Sequence, residues 1–554
     1  HACLNHRFDP AASMPCSPGQ DVTVRWFLVC AIIANNDSLR LSTTKMIDPN
    51  AAKGSPSVPA DPSQRTGGPV RQLTIIGIIL ITMAYTWFLT SHGVSYASGS
   101  DASGYFNSAR LLSHGQTGSP LKTIDGLKSP AWNYSYQQPL GFVAHNDTGL
   151  LIPTYPVGLP LQLLYAAKLV GWNHAAILVN VISVLLIGWI TAQFGRQFCG
   201  LRWPWLLTGI ALLWASPLFV YFSLQPMSDV SATMWTLVAL FSAARSRQHW
   251  PWAILTGTAV GVAVLVRPTN IFVLLPVMAF LGVNWRGWLA VITAGAPFAA
   301  VQAIYNFKVY GHWITSGYGD VSTLLQTKFV PPNIEHFALW IPRLLTPLVL
   351  LALGLPWFIR QKPRLVLAIS IWVLSLIGFY AFYYHSGETW WYLRFILPVF
   401  PFLVLAAAMV AQRLTDYWSA SFGRGALIAV MALFALNYLF NLNRKLDVTA
   451  IKSADKAYHD TNIWLQANVP ANSIMAAMQA SGALHYYADY SLVRYDLMSA
   501  KEFSMVVKVA TANGQTIYAP LFPFEINRVV EAGLGGKWQK VAIIDYITIW
   551  KLQP

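Results

Sequence analysis

The chain has 554 residues, 55% of them apolar and only 11% charged, with a formal net charge of +15 and a mean hydropathy of +0.45. A soluble domain carries about a quarter charged residues, so this composition excludes an ordinary water-soluble protein and points to a membrane chain. The positive charge then reads as the mark of basic cytoplasmic loops rather than as a nucleic-acid footprint.

Residues 1–45 differ from the rest of the chain: they begin at His1, hold Cys3, Cys16 and Cys30, and include the apolar run VTVRWFLVCAIIA, too short to span. A natural start at Met46 fits better, with a cleaved signal peptide as the alternative. Residues 1–72 as a whole read as an N-terminal tail, Pro/Gly/Ser-rich from Met46 onward and disordered by composition. From 73 to 441 the chain alternates apolar segments and short connections. A bilayer core asks for about 20 apolar residues per helix, which gives about eleven candidate spans. They lie near 73–90, 175–194, 203–222, 227–244, 252–266, 268–284, 289–307, 339–359, 365–384, 395–412 and 425–441.

With the N-terminus inside, the cytoplasmic connections hold Arg65, Arg71, Arg196, Arg202, Arg245, Arg247, Arg286, Arg360, Lys362, Arg364, Arg413 and Arg424. The opposite side collects Asp101, Asp125, Asp147, Asp229, Asp320, Glu335 and Glu388, leaving Asp416 as the acid of an inner loop. This asymmetry predicts an inner or plasma membrane protein with its N-terminus cytoplasmic and residues 442–554 outside. Cys199 falls on the inner side, so the exported parts carry no disulfide framework.

The first outer loop, 91–174, is too long for an idle connection. It opens on YASGSDASGYFNSARLL and closes on IPTYPVGLPLQLLYAAKLVGWN, a Pro-initiated amphipathic helix suited to the membrane interface. Asp101 stands before a helical run, where a carboxylate serves either as a general base or as a helix N-cap. Asp229 opens the fourth span, at the positive end of a helix. Arg267 tops a hairpin of two short segments and is expensive there unless it meets an anion. Arg394, in WWYLRF, lies at the outer mouth of the tenth span among interfacial aromatics, where it either binds an anion or reaches for lipid headgroups. Arg343 and Arg110 are further candidate cations. Glu388, in YHSGETWW, contacts a ligand, buffers Arg394 or is a solvated loop acid. Tyr105, Tyr155 and Tyr392 are candidate ligand-contacting rings. No spacing such as HExxH occurs, so neither a catalytic zinc nor an organic cofactor is expected, while the question of another divalent metal stays open.

The tail 442–554 reads as a small α/β domain: an amphipathic helix in DKAYHDTNIWLQANVP, a strand in QTIYAPL, a helix in FEINRVVEAGL and paired strands in WQKVAIIDYITIWKLQP. The aromatic group in SGALHYYADYSLVRYD is suited either to a sugar or to the domain core.

In order along the chain, SDASGYFNSARLL, TYPVGLPLQLLYAAKLVG, SPLFVYFSLQPMSDVSATMWTLVALF, GVAVLVRPTNIFVLLPV, YNFKVYGHWITSGY and WWYLRFILPVFPFLVLAAA resemble the GT-C superfamily of polyprenyl-phosphate-sugar-dependent glycosyltransferases. The likeness is greatest to glycosyltransferase family 39, the group of protein O-mannosyltransferases and lipid A aminoarabinose transferases. The resemblance covers about 73–441 and implies an α-helical multispanning GT-C fold followed by an extracytoplasmic α/β domain. It puts the catalytic aspartate at Asp101, without the acidic pair commoner in that loop, and implies donor-phosphate contacts from Arg394, with Arg267, Arg343 and Arg110 as further candidates, sugar or acceptor contacts from Tyr105, Tyr155, Glu388 and Tyr392, and for Asp229 either sugar binding or pairing with an arginine. The implied partners are a polyprenyl-phosphate-linked sugar, a glycan, lipid or protein acceptor, and membrane lipids, with no nucleic acid. A transporter or noncatalytic assembly subunit is the alternative class, but transporters commonly show internal repeats and none is found. Within the enzyme class, a polymerase or ligase using lipid-linked oligosaccharide is the runner-up.

Overall fold

The computed structural model describes residues 68–128, 131–145, 149–315, 317–318, 321–416, 421–531 and 534–553. The expected tail as far as 67, with Met46 and three cysteines, and Asp147 and Asp320 lie outside the described residues.

Helix α1 (Gly68–His92) leads into the outer loop, which holds α2 (Asp101–Ser113) and a small sheet of β1 (Ser119–Pro120), β2 (Phe142–His145) and β3 (Leu150–Pro153), with β3 in the centre. The loop ends in α3 (Gly158–Val170). At 1.5 Å per residue these 13 residues run only about 20 Å, too short to cross a bilayer on their own. Gly171, at φ +77, then turns the chain into α4 (Trp172–Phe194).

The bundle continues through α5 (Trp203–Ala215), α6 (Pro217–Ser223), α7 (Ser228–Ser246), α8 (Trp252–Val266), α9 (Leu274–Leu281) and α10 (Trp285–Tyr310). It closes with α11 (Val330–Leu344), α12 (Leu355–Phe358), α13 (Pro363–Ala381), α14 (Phe400–Thr415) and α15 (Ser421–Lys445). Among the described residues six helices are long and apolar enough to cross a membrane, and two bent pairs bring the number to as many as eight. The chain is thus a multi-pass membrane protein, and each of the eleven expected segments is at least partly helical.

Two segments differ from simple spans. The stretch expected at 339–359 is broken by 113° between Leu344 and Pro347, where Thr346 takes φ +68 and Pro347 removes a backbone donor. Helix α7 lies inside the bundle: Val230, Leu237, Ala239 and Ala243 are fully buried, and so are Ser231, Thr233, Thr236 and Ser242. Most of its hydroxyls return to the helix backbone, as in Thr233 to Asp229 O at 2.8 Å and Ser242 to Val238 O at 2.8 Å, while Ser231 donates to Gln162 Oε1 at 2.7 Å, which permits so polar a helix in a membrane core.

Three of the basic connections touch the one that holds Arg196 and Arg202. Arg202 pairs with Asp416, Arg245 donates to Gln197 at 2.9 Å and Lys362 donates to Phe198 O at 2.7 Å.

The tail folds from α16 (Ile451–Asn468), β4 (Ile474–Ala476), α17 (Ser481–Tyr487), β5 (Ser491–Val493), α18 (Ala500–Ala512), β6 (Ile517–Leu521), β7 (Lys537–Ile544) and β8 (Ile547–Gln553). The sheet runs β5-β4-β6-β8-β7, with β4 parallel to β5 and β6 and the last pair antiparallel. The expected strand pair is a two-residue hairpin turning at Asp545 (φ +52). This domain does not close on itself. Ile124, Leu127 and Trp132 of the outer loop share a core with Tyr495, Phe503, Val506 and Ile517, and Arg494 N donates to Tyr136 O at 2.6 Å.

Candidate active site

Helix α2 begins at Asp101, and Ser100 precedes it without a side-chain cap, so the N-cap reading of Asp101 is corrected. Its carboxylate is held by two long-range partners instead. Tyr155 OH donates to Oδ1 at 2.6 Å, and Arg394 Nη2 donates to Oδ2 at 2.6 Å. Both charged side chains are mostly buried, at 19% and 16% exposure.

Local packing fixes this arrangement. Gly104, one turn after Asp101, lies against the Tyr155 ring, and a Cβ there would come within 2.4 Å of it. Gly141, at φ +88, presses its backbone on Gly104, so neither position has room for a side chain. Tyr155 also shares a 2.8 Å hydrogen bond with Ser100 and packs on Tyr105 at 4.9 Å between ring centroids.

A second ion pair adjoins the first. Arg267 ends α8, and its Nη2 donates to Asp229 Oδ1 at 2.5 Å, with Asp229 only 1% exposed. Its Nη1 reaches the backbone carbonyl of Arg394 at 3.4 Å. Ser228 joins the two halves, accepting from Tyr105 OH at 3.0 Å and from Arg267 at 3.3 Å. The Phe395 ring faces both guanidinium groups, at 5.1 Å from Arg394 and 5.6 Å from Arg267, an arrangement in which the π face is attracted to each cation.

The formal charges of Asp101, Asp229, Arg267 and Arg394 cancel, which is how a membrane-embedded site tolerates four of them. For Asp101 the largest influence is burial, which raises its pKa. The Arg394 charge, hydrogen bonds from Tyr155 and Arg394, and the Arg267 charge outweigh it and hold the carboxyl below its ordinary value. Asp101 is therefore ionised at neutral pH. Burial above all, and then the same carboxylate, push the Tyr155 phenol well up, so Tyr155 stays a proton donor.

Of the residues singled out in the sequence, Asp101, Arg394, Asp229, Arg267, Tyr105 and Tyr155 come together here. Tyr392 borders the group through Phe395, at 6.0 Å between rings, and stacks on His385 at 4.9 Å. Glu388 is exposed and accepts from His385 at 2.6 Å. Arg110 and Arg343 are not brought in. Arg110 donates to Tyr486 O at 2.5 Å and lies over the Tyr486 ring at 4.1 Å, while Arg343 is exposed beside Trp340. Sequence reasoning did not single out Ser228, Phe395 or Tyr318, whose ring lies 6.3 Å from that of Tyr155. Ser228 and Phe395 adjoin Asp229 and Arg394 in the chain, and Tyr318 closes the segment YNFKVYGHWITSGY, which were the available signals. Among the described residues no three His, Cys, Asp or Glu side chains group as a metal site.

The site is closed from the back by the tail. Helix α17 lies on α2, with Asn107 donating to Gly482 O at 3.1 Å and Ala97 N donating to Tyr487 OH at 2.9 Å.

No family model matches the chain, and no curated protein sequence matches it. Solved structures do match. ArnT from Cupriavidus metallidurans bound to undecaprenyl phosphate is 13% identical, with 86% of this chain and 97% of that chain covered at a TM-score of 0.52. Its apo state, also 13% identical, covers 86% and 98% at 0.51. An oligosaccharyltransferase from Archaeoglobus fulgidus, in complex with Zn and sulfate, is 11% identical, with 81% of this chain and 68% of that chain covered at 0.51. At such identities the likeness speaks for architecture: the chain has the GT-C fold.

Proposed function

We propose that the protein is an inverting glycosyltransferase that moves a sugar from a polyprenyl-phosphate-linked donor to an acceptor on the extracytoplasmic face of the membrane. The observation that carries this reading is the buried Asp101–Arg394 pair at the boundary between outer loop and bundle, in a GT-C fold. ArnT, of the same architecture, is known bound to undecaprenyl phosphate, which supports a polyprenyl phosphate as the donor's lipid. The basic residues where four connections touch support a cytoplasmic position for that group and with it an extracytoplasmic active face, the membrane being the inner or plasma membrane.

In the mechanism, Asp101 is the general base. It takes the proton of the acceptor hydroxyl or amine as that atom attacks the sugar C1 from the face opposite the leaving phosphate. Arg394 stabilises the charge that develops on the phosphate oxygens. The two roles are coupled. While Arg394 is paired with Asp101 the carboxylate is a weak base, and a phosphate that draws the guanidinium toward itself frees Oδ2 and raises the basicity of Asp101 when the donor is in place. Tyr155 keeps the carboxylate oriented, and the Asp229–Arg267 pair supports the Arg394 backbone. The mechanism uses no metal step.

The test is transfer by purified protein in lipid, with a polyprenyl-phosphate sugar and an acceptor identified from the glycans or lipids lost on deleting the gene. Asp101→Asn keeps shape and removes the base, so transfer is expected to fall by about 10²–10⁴-fold. Near-normal transfer by a stable Asp101→Asn protein would remove this residue from the mechanism.

A further inference from the structure

The loop between α13 and the 3-10 helix Trp390–Val399, which carries Arg394, is fastened at both ends to one face of α11. Asn333, 2% exposed, donates from Nδ2 to two carbonyls where the loop leaves α13, Ala381 O at 2.8 Å and Tyr383 O at 2.7 Å. Three residues on, and so on the same face of the helix, His336 Nε2 lies 3.1 Å from Thr389 O, at the residue preceding the Arg394 helix. Gly387 lies against Asn333, and a Cβ there would come within 2.5 Å of Oδ1. The loop's other edge is tied to the chain before α11 by Gln326 N to Phe382 O at 3.0 Å and Tyr384 N to Leu324 O at 3.1 Å. Helix α11 turns Phe337 and Leu344 inward and leaves Ile334 and Leu339 exposed. With the 113° break at its C-terminal end, this two-faced pattern is that of a helix lying in the membrane interface.

We propose that Asn333, seconded by His336, is a positioning residue for donor-phosphate binding: it couples the seating of α11 in the lipid interface to the placement of Arg394. The proposal rests on the reading of Arg394 as the phosphate ligand. Without Asn333 the buried Ala381 carbonyl loses its side-chain donor and the Tyr383 carbonyl keeps only Ser386 N at 3.2 Å, the loop loosens at its entry, and the Arg394 guanidinium loses the fixed origin from which it reaches the phosphate. Asn333 touches no reacting atom, so its effect travels through Arg394 alone.

The experiment measures binding of undecaprenyl phosphate to the full chain in lipid nanodiscs, followed by tryptophan fluorescence, for wild type, Asn333→Ala, Arg394→Ala and the double variant. Backbone hydrogen exchange over 382–394 is recorded beside it. Asn333→Ala is expected to weaken binding about tenfold and to raise exchange in the loop. In the Arg394→Ala background the same change is expected to shift binding less than twofold, because the two residues act as one unit. A general loosening of the fold would cost the same in both backgrounds, and that outcome overturns the proposal. So does wild-type affinity in Asn333→Ala. If Asn333→Ala does not fold, Gly387→Ala perturbs the same contact from the other side and is scored the same way. A wild-type chain that does not bind the probe overturns the donor-site reading itself. Unchanged loop exchange in Asn333→Ala, beside a wild type that binds, overturns the clamp alone.

Discussion

Asp101 and Arg394 are 293 residues apart in the chain, yet each was legible on its own, because a charge beside an apolar segment is costly and stands out. Their pairing was not legible, since nothing local in SDASGY or WWYLRF names a partner. The same holds for Asp229 and Arg267, where a charged helix start and a charged hairpin tip each called for a counter-ion. Arg110 and Arg343 show the converse: a cation near the outer surface has other employment, here a backbone carbonyl and a tryptophan face. The geometry makes a sharp prediction for Arg394. Arg394→Lys keeps the charge and loses the planar fork that addresses carboxylate and phosphate together. It is expected to lower kcat/KM by a factor equivalent to about 1–3 kcal/mol, with Arg394→Ala lower still. Wild-type turnover in Arg394→Ala would leave the residue as a headgroup contact. The pair also has a pH signature: because the folded pKa of Asp101 is depressed, its stabilisation is complete above the ordinary carboxyl range and is lost as pH falls through the folded value.

At the scale of elements, hydropathy located the helices but not their bends. A run of apolar residues between 339 and 359 satisfies any window average, whereas its geometry is decided by Thr346 and Pro347, where it bends by 113°. Helix α7 is the opposite case, a segment dense in Ser and Thr that is largely internal because most of its hydroxyls bond its own backbone. The contact between α17 and α2 was not visible at all. It depends on a close approach that only glycine allows: a Cβ at Gly482 would come within 2.0 Å of Ser103 Oγ and 2.9 Å of Leu140 O. Gly482→Ala is therefore expected to destabilise the protein by about 1–3 kcal/mol through overpacking and to reduce transfer by displacing the helix that carries Asp101. A thermal melt measured beside turnover checks both, and an unchanged melting temperature would show that α17 yields without cost.

For the whole molecule, the sequence marked the tail as an α/β unit and placed most of its helices and strands, since alternation and amphipathicity are local signals. What it left open is that this unit is built jointly with residues of the first outer loop, because a buried Ile124 or Trp132 carries no label saying which distant surface covers it. Asp455 lies in this junction, on α16, and burial pushes its carboxyl up to about 7 against the pull of the Ser98 hydroxyl. An acid whose folded pKa is raised binds its proton more tightly folded than unfolded, so stability falls as pH rises from about 4, the unfolded value, and levels off once the folded value is passed. Asp455→Asn is expected to remove that fall: its melting temperature should exceed that of wild type at pH 8 and approach it at pH 4.5. Equal temperatures at both would show that Asp455 is hydrated in solution. The shared core also imposes an order on biogenesis. Trp132 leaves the ribosome about 400 residues ahead of β8, which at roughly 5–20 residues per second is an interval of some 20–80 s. Throughout that time the loop waits with its apolar side uncovered, dependent on whatever chaperone meets it. A chain shortened before α16 would never complete the wall that α17 builds against α2, however well its apolar helices insert.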